Sequence, residues 1–242
     1  MQERESDLDL RVGTNGGGRD GLHRIVDPTV LGTSDSLARH RRGLLTGLSI
    51  VVVDPEPVAS AQVAAATDWA PPEFRVEFVL GDPSPALTDR LDVLAWPWSA
   101  IALPTGRLAA LDAATAQASG EFVVIGSVGG DAAGPSGDDH PFEQLGEALG
   151  LMWVNGADAL VLGQARELTV PDEEQQAGDL RPTHLATALG VRRGGPGALV
   201  VLRRWVARFL FDDIASAIDP LHEFGDRVRL LELRLLEVLG PG

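Results

Sequence analysis

The stretch Gly106–Asp131, GRLAALDAATAQASGEFVVIGSVGGD, decides the fold. Its Ala, Leu and Gln residues favour a helix as far as Ala118, and Gly120 is placed to stop it. Phe122 to Ile125 is a short, continuous apolar run, the pattern of a strand buried on both faces of a parallel sheet. Gly126, Gly129 and Gly130 then allow a sharp turn at the strand's carboxyl end, where open α/β sheets hold their ligands.

Upstream, Leu48–Val53 (LSIVVV) reads as a strand that breaks at Asp54-Pro55-Glu56-Pro57, placing carboxylates at its carboxyl end. An alanine-rich helix follows over Val58–Thr67, then a strand over Arg75–Leu80 (RVEFVL) and a turn, Gly81-Asp82-Pro83-Ser84-Pro85. A helical turn at Leu87–Leu91 and a short strand within Val93–Leu103, around Trp96-Pro97-Trp98, complete this half. Alternation of strand and helix in this order implies an α/β fold with a mainly parallel sheet and right-handed crossovers.

Downstream, the pattern predicts an acidic loop (AAGPSGDDHP), a helix from Phe142 to Leu151, a strand at Asp158–Leu162 and a charged loop over 171–182. A strand at Ala198–Leu202, a helix over Arg203–Phe211 and an amphipathic C-terminal helix over Glu223–Leu239 follow. Residues 1–45 carry no sustained apolar period and read as a flexible arm before a single domain spanning 46–240.

With 242 residues, 44% of them hydrophobic, the chain can bury one substantial core. A formal net charge of -15 argues against non-specific contact with nucleic acid or an anionic membrane, both of which need a basic face. The absence of cysteine excludes disulfides, zinc-thiolate sites and thiol nucleophiles. No apolar run reaches the ~20 residues of a membrane span, and the charged start MQERESDLDLRVG lacks a signal peptide's apolar core, so the expected location is cytoplasmic. No G-x-G-x-x-G follows the first predicted strand, which excludes the NAD-binding fingerprint there.

Four segments together resemble the family 2 glycosyltransferases. LSIVVVDPEPV is similar to that family's opening strand, and RVEFVLGDPSPALT to its second strand with the turn that holds a nucleotide base. GRLAALDAATAQASGEFVVI is similar to its Gly, small-residue helix and Ala-x-Gly-Glu-strand segment. ALVVLRRWVARFLFDDI with EFGDRVRLLELRLLEVLG resembles the strand, arginine and helix around its acceptor-side acid. The resemblance implies a Rossmann-like GT-A (nucleotide-diphospho-sugar transferase) architecture, with residues 46–131 as the nucleotide-sugar half and 132–240 as the acceptor half. It implies transfer of a sugar from a nucleotide-sugar donor to an acceptor, with Asp54, Asp82 and Ser84 on the nucleotide side. Ser127, Gly129 and Asp131 would stand at the diphosphate, with Arg203 and Arg204 reaching its oxygens. Asp226, then Glu223, would be the general base.

The family's Asp-x-Asp signature, which binds Mn or Mg and offsets the charge of the leaving diphosphate, is replaced by Ser127-Val128-Gly129. The candidate metal ligands that remain are Asp131 and the cluster Asp138, Asp139 and His140, whose oxygen and imidazole donors suit a manganese-type ion. As an exposed acidic loop, the same cluster needs no metal. Trp96 and Trp98 read either as a stacking wall for a sugar or as core packing. Two functions are therefore open: a glycosyltransferase with a degenerate metal site, or a non-catalytic GT-A-like pseudoenzyme that binds or scaffolds a partner. The C-terminal helix is the expected surface for a homodimer or partner protein.

Overall fold

The computed structural model describes residues 23–26, 46–69, 74–127, 141–164, 181–191 and 198–240. Eight strands form one sheet in the order β1-β8-β6-β7-β5-β2-β3-β4. They are β1 (His23–Val26), β2 (Thr46–Val52), β3 (Phe74–Gly81), β4 (Trp98–Ile101), β5 (Phe122–Ser127), β6 (Ala159–Gln164), β7 (Ala198–Arg203) and β8 (Leu235–Gly240). All neighbouring pairs are parallel except those of β7, which runs antiparallel to both β5 and β6. The helices are α1 (Val58–Trp69), α2 (Pro85–Val93), α3 (Arg107–Gln117), α4 (Pro141–Asn155), α5 (Arg181–Ala188), α6 (Arg204–Phe211) and α7 (Pro220–Leu230).

Strand alternation divides the core into two layers. Leu48, Ile50 and Val52 of β2 pack with Val63 and Ala66 of α1 and Leu145 and Met152 of α4. Val51 and Val53 point the other way, into a layer with Leu111 of α3, Leu185 of α5, Leu210 of α6 and Phe224 of α7. A sheet covered on both faces explains why its central strands read as unbroken apolar runs.

The expected helix over Glu223–Leu239 is corrected by the structure. The helix ends at Leu230, Glu232 takes a left-handed backbone (φ 47), and the chain turns into β8. Leu233, Leu235 and Leu236 are buried, with β8 seated between β1 and β6, so those leucines are sheet core and not an exposed helical face. A leucine-rich run looks alike for an amphipathic helix and for a strand buried on both faces. Helix α5 was not anticipated: it opens at Arg181-Pro182, where a loop was expected. Within the expected arm, residues 23–26 pair with β8 as an edge strand. No helix among the described residues is long and apolar enough to cross a membrane.

Candidate functional site

From β2 the chain steps through β3 to β4 on one side, then crosses back to place β5 on the other side of β2. The carboxyl ends of β2 and β5 therefore flank a topological switch point, the place where open α/β sheets form a ligand crevice. Asp54 follows β2 there, and Gly126 and Ser127 end β5.

Arg107, the first residue of α3, occupies this position. Its Nη1 donates to Asp54 Oδ1 at 2.7 Å, Nη2 to the Gly126 carbonyl at 2.7 Å and Nε to the Leu189 carbonyl at 3.0 Å. A guanidinium carries five N–H groups, so two remain after these three bonds. The Arg107 and Asp54 side chains are each 16% exposed, which leaves the pair shielded yet reachable. Gln62 Nε2 holds the second Asp54 oxygen at 3.0 Å, while Gln62 Oε1 is buried with no hydrogen-bond partner among the described residues.

The neighbouring loops are tied into the same edge. Ser84 caps α2 by accepting from the Leu87 N–H and donates to Glu56 Oε1 at 2.9 Å. Hydrogen bonds from Ser60 and then Ser84 hold the Glu56 carboxyl below its ordinary range. Asp82 has a left-handed backbone (φ 41) and accepts from the Leu103 N–H at 3.3 Å, which fixes the exit of β4. Asp54, Asp82 and Ser84 thus lie at the expected edge, each already engaged in a structural contact.

Arg203 and Arg204 do not. Because β7 is antiparallel, its carboxyl end lies beside Phe122, at the start of β5. Both arginines are at the opposite end of the sheet from the crevice, and the expectation that they meet a diphosphate there is corrected. Arg203 donates to the Ala157 carbonyl and stacks over Phe122 and Trp153, and Arg204 donates to the Ser119 carbonyl. Trp96 packs edge-on against Phe78 and Trp98 donates to Asp92, so both tryptophans serve packing instead of lining the crevice.

Asp226 lies on α7 with Arg229 at 3.0 Å and His222 at 3.4 Å, and Glu223 lies 2.8 Å from Arg227. No contact among the described residues joins either acid to Asp54, Arg107 or Gly126. Gly129, Asp131, Asp138, Asp139 and His140 lie outside the described residues. Among those described, no three His, Asp or Glu side chains converge on a point, and Asp54 is paired with Arg107. His184, which drew no assignment from sequence, lies 3.0 Å from Glu237 Oε1 of β8, with the two side chains 10% and 1% exposed.

At the amino edge a second polar network holds the turn after α3. Glu77 Oε1 accepts from Ser49 Oγ at 2.5 Å and from the Ser119 N–H at 2.6 Å, and Oε2 accepts from Ser119 Oγ at 2.6 Å. The Gly120 N–H donates to Ser49 Oγ at 2.8 Å. Burial pushes the Glu77 carboxyl up, but the bonds from Ser119 and Ser49 outweigh it and the net shift is downward. A carboxyl lowered on folding contributes stability above its unfolded value, and that contribution is lost as pH falls through the folded one. Glu77→Gln should therefore unfold more easily than the parent at neutral pH. The gap should narrow as a thermal-melt series is taken below the ordinary glutamate range, and a gap that stays constant well below that range would refute the role assigned to Glu77.

The sheet order with one antiparallel strand, the two helical layers and the switch point define a Rossmann-like α/β class of fold. Comparison with solved structures makes it particular. Glucosyl-3-phosphoglycerate synthase of Mycobacterium tuberculosis superposes with a TM-score of 0.53 at 16% identity, covering 85% of this chain and 75% of that one. Its complex with uridine diphosphate gives 0.52 at 15% identity, covering 85% and 74%. Its complex with Mg2+ and uridine diphosphate gives 0.52 at 13%, covering 87% and 73%. The chain has the GT-A glycosyltransferase fold. No protein-family model matches the sequence, and no curated protein does.

Proposed function

We propose that the protein transfers a sugar from a nucleotide-sugar donor to an acceptor, with the donor diphosphate at the β2–β5 crevice. The observation that carries this reading is Arg107, a guanidinium with two uncommitted N–H groups set between the carboxyl ends of those strands. Arg107 would meet the diphosphate oxygens, the task first sought from Arg203 and Arg204, and backbone at Gly126 and Ser127 would approach the same group. Asp82 and Ser84 would border the nucleotide base. A general base must accept the acceptor hydroxyl's proton, and Asp226, then Glu223, are proposed for it. Each would first have to leave its arginine partner on α7.

The structural relatives whose complexes hold Mg2+ and uridine diphosphate favour Mg or Mn as a companion of the diphosphate here. Asp131, Asp138, Asp139 and His140 are the proposed ligands, and the metal would supply charge against the leaving diphosphate. The division into an arm (1–45), a nucleotide-sugar half (46–131) and an acceptor half (132–240), and a cytoplasmic location, belong to the same reading.

A second reading is a non-catalytic relative that binds or scaffolds a partner. The Asp54–Arg107 pair favours it, because the carboxylate at the crevice is already spent on a side chain. Thermal melts with UDP, GDP, dTDP and CDP, each with and without Mn or Mg, separate the two. A ligand at 100 times its Kd stabilises the native state by about 2.7 kcal/mol. One nucleotide should raise the melting temperature clearly above the others. A flat response to all four, in every metal condition, would leave the scaffold reading standing.

A further inference from the structure

An open cleft of about 640 Å³ lies at the amino edge of the sheet, at the opposite end from the crevice. Its lining includes Arg75, Arg203, Arg204, Trp205, Glu77 and Glu121. We propose that this cleft is a second binding site, for a small polyvalent oxyanion of the phosphate or carboxylate class.

The charges argue for an anion. Arg75 is exposed and makes no hydrogen bond or ion pair among the described residues, although it stands in β3 beside Gly47. Arg204 spends one nitrogen on the Ser119 carbonyl and is otherwise exposed. Arg203 is pre-set by its Nε bond to Ala157 and by stacking over Phe122 and Trp153, which reduces the entropy lost when it grips a ligand. The guanidinium N–H groups that these contacts leave over are gathered in one cleft of a chain whose net charge is -15.

The two glutamates offset this only in part. Glu77 is held in place by Ser49 and Ser119 donors, Glu121 is half exposed at 4.0 Å from Arg203, and three arginines line the cleft against these two carboxylates. A ligand with at least two anionic groups can contact several of these arginines at once, which a monovalent anion cannot, so the cleft favours a polyvalent anion. The site is independent of the crevice and of the transferase reading.

Trp205 is 53% exposed at the cleft wall and gives a local reporter. Inorganic pyrophosphate and citrate would be titrated separately into the full chain at low salt, following tryptophan fluorescence. At least one should give a saturable change that is absent in Trp205→Phe, and its midpoint should rise about tenfold in Arg75→Ala, as expected when one charge-assisted contact is removed. Arg204→Gln should act in the same direction. Because Arg75 has no bond within the described fold, its variant tests binding without testing folding. A response to pyrophosphate alone assigns phosphate, and a response to both assigns polyvalent oxyanions generally. No saturable change with either probe, or an unaltered midpoint in Arg75→Ala, would overturn the proposal.

Discussion

Gly120→Ala is expected to cost roughly 3 kcal/mol or more of folding stability, a large share of the 5–15 kcal/mol typical of a domain. An added Cβ would lie 2.6 Å from the Ser49 nitrogen and 2.8 Å from both the Gly47 oxygen and the Leu48 carbonyl carbon. All three atoms are backbone of β2, which is paired on one side with β3 and on the other with β5, so none can step aside without breaking a ladder. The same methyl would disturb the Gly120 N–H bond to Ser49 Oγ. Urea denaturation followed by circular dichroism reads the effect as a fall in midpoint. Ser119→Ala is the control: it removes one hydroxyl bond to Glu77 and should cost only about 1–2 kcal/mol. If Gly120→Ala came within about 1 kcal/mol of the parent, the close approach of this turn to β2 would not be what demands glycine.

Arg107→Ala is expected to have the second large effect, on two readouts. Three hydrogen bonds vanish, and among the described residues Asp54 keeps only Gln62 as a partner. Removing one member of a fully buried pair costs 3–5 kcal/mol; with both side chains 16% exposed, about 2–3 kcal/mol is expected. If the transferase reading is right, the thermal response to the preferred nucleoside diphosphate should also fall at least tenfold in affinity, measured against the variant's own baseline. Arg107→Lys should recover part of the stability but little of the binding, because an ammonium cannot span Asp54, Gly126 and a ligand with one planar fork. A variant that is destabilised yet binds nucleotide unchanged would make Arg107 a purely structural clamp.

Arg107 also illustrates a signal that sequence reading can miss. A helix's first turn favours acidic residues, because its dipole places partial positive charge there. An arginine opening α3, directly after a glycine with φ 99, runs against that preference and asks for a compensating partner. Asp54 and the Gly126 carbonyl are that compensation, from segments 53 and 19 residues away. The charge anomaly is visible in the sequence, but its partners become visible only once β2 and β5 are side by side.

The segment Ala118–Glu121, part of the stretch that resembles the family's Ala-x-Gly-Glu-strand segment, lies away from the crevice. Ser119 bonds Glu77, Gly120 touches the backbone of β2, and the Glu121 carbonyl accepts the Arg204 N–H at 2.8 Å. These residues lock the amino edge of the sheet, so they specify the fold and say little about chemistry at the carboxyl edge.

The sequence by itself determined the α/β class, the strands β2, β3 and β5 and the helices between them. Strands buried on both faces must be apolar throughout, and the glycines, prolines and acids that end them are local features. Only the tertiary structure decided that β7 runs antiparallel, which carried Arg203 and Arg204 to the far edge, and that the leucine-rich C-terminus closes the sheet as β8. Strand direction and sheet neighbours depend on contacts between distant segments, and an apolar run has the same composition whichever way it points and whether it ends as a helix face or a buried strand.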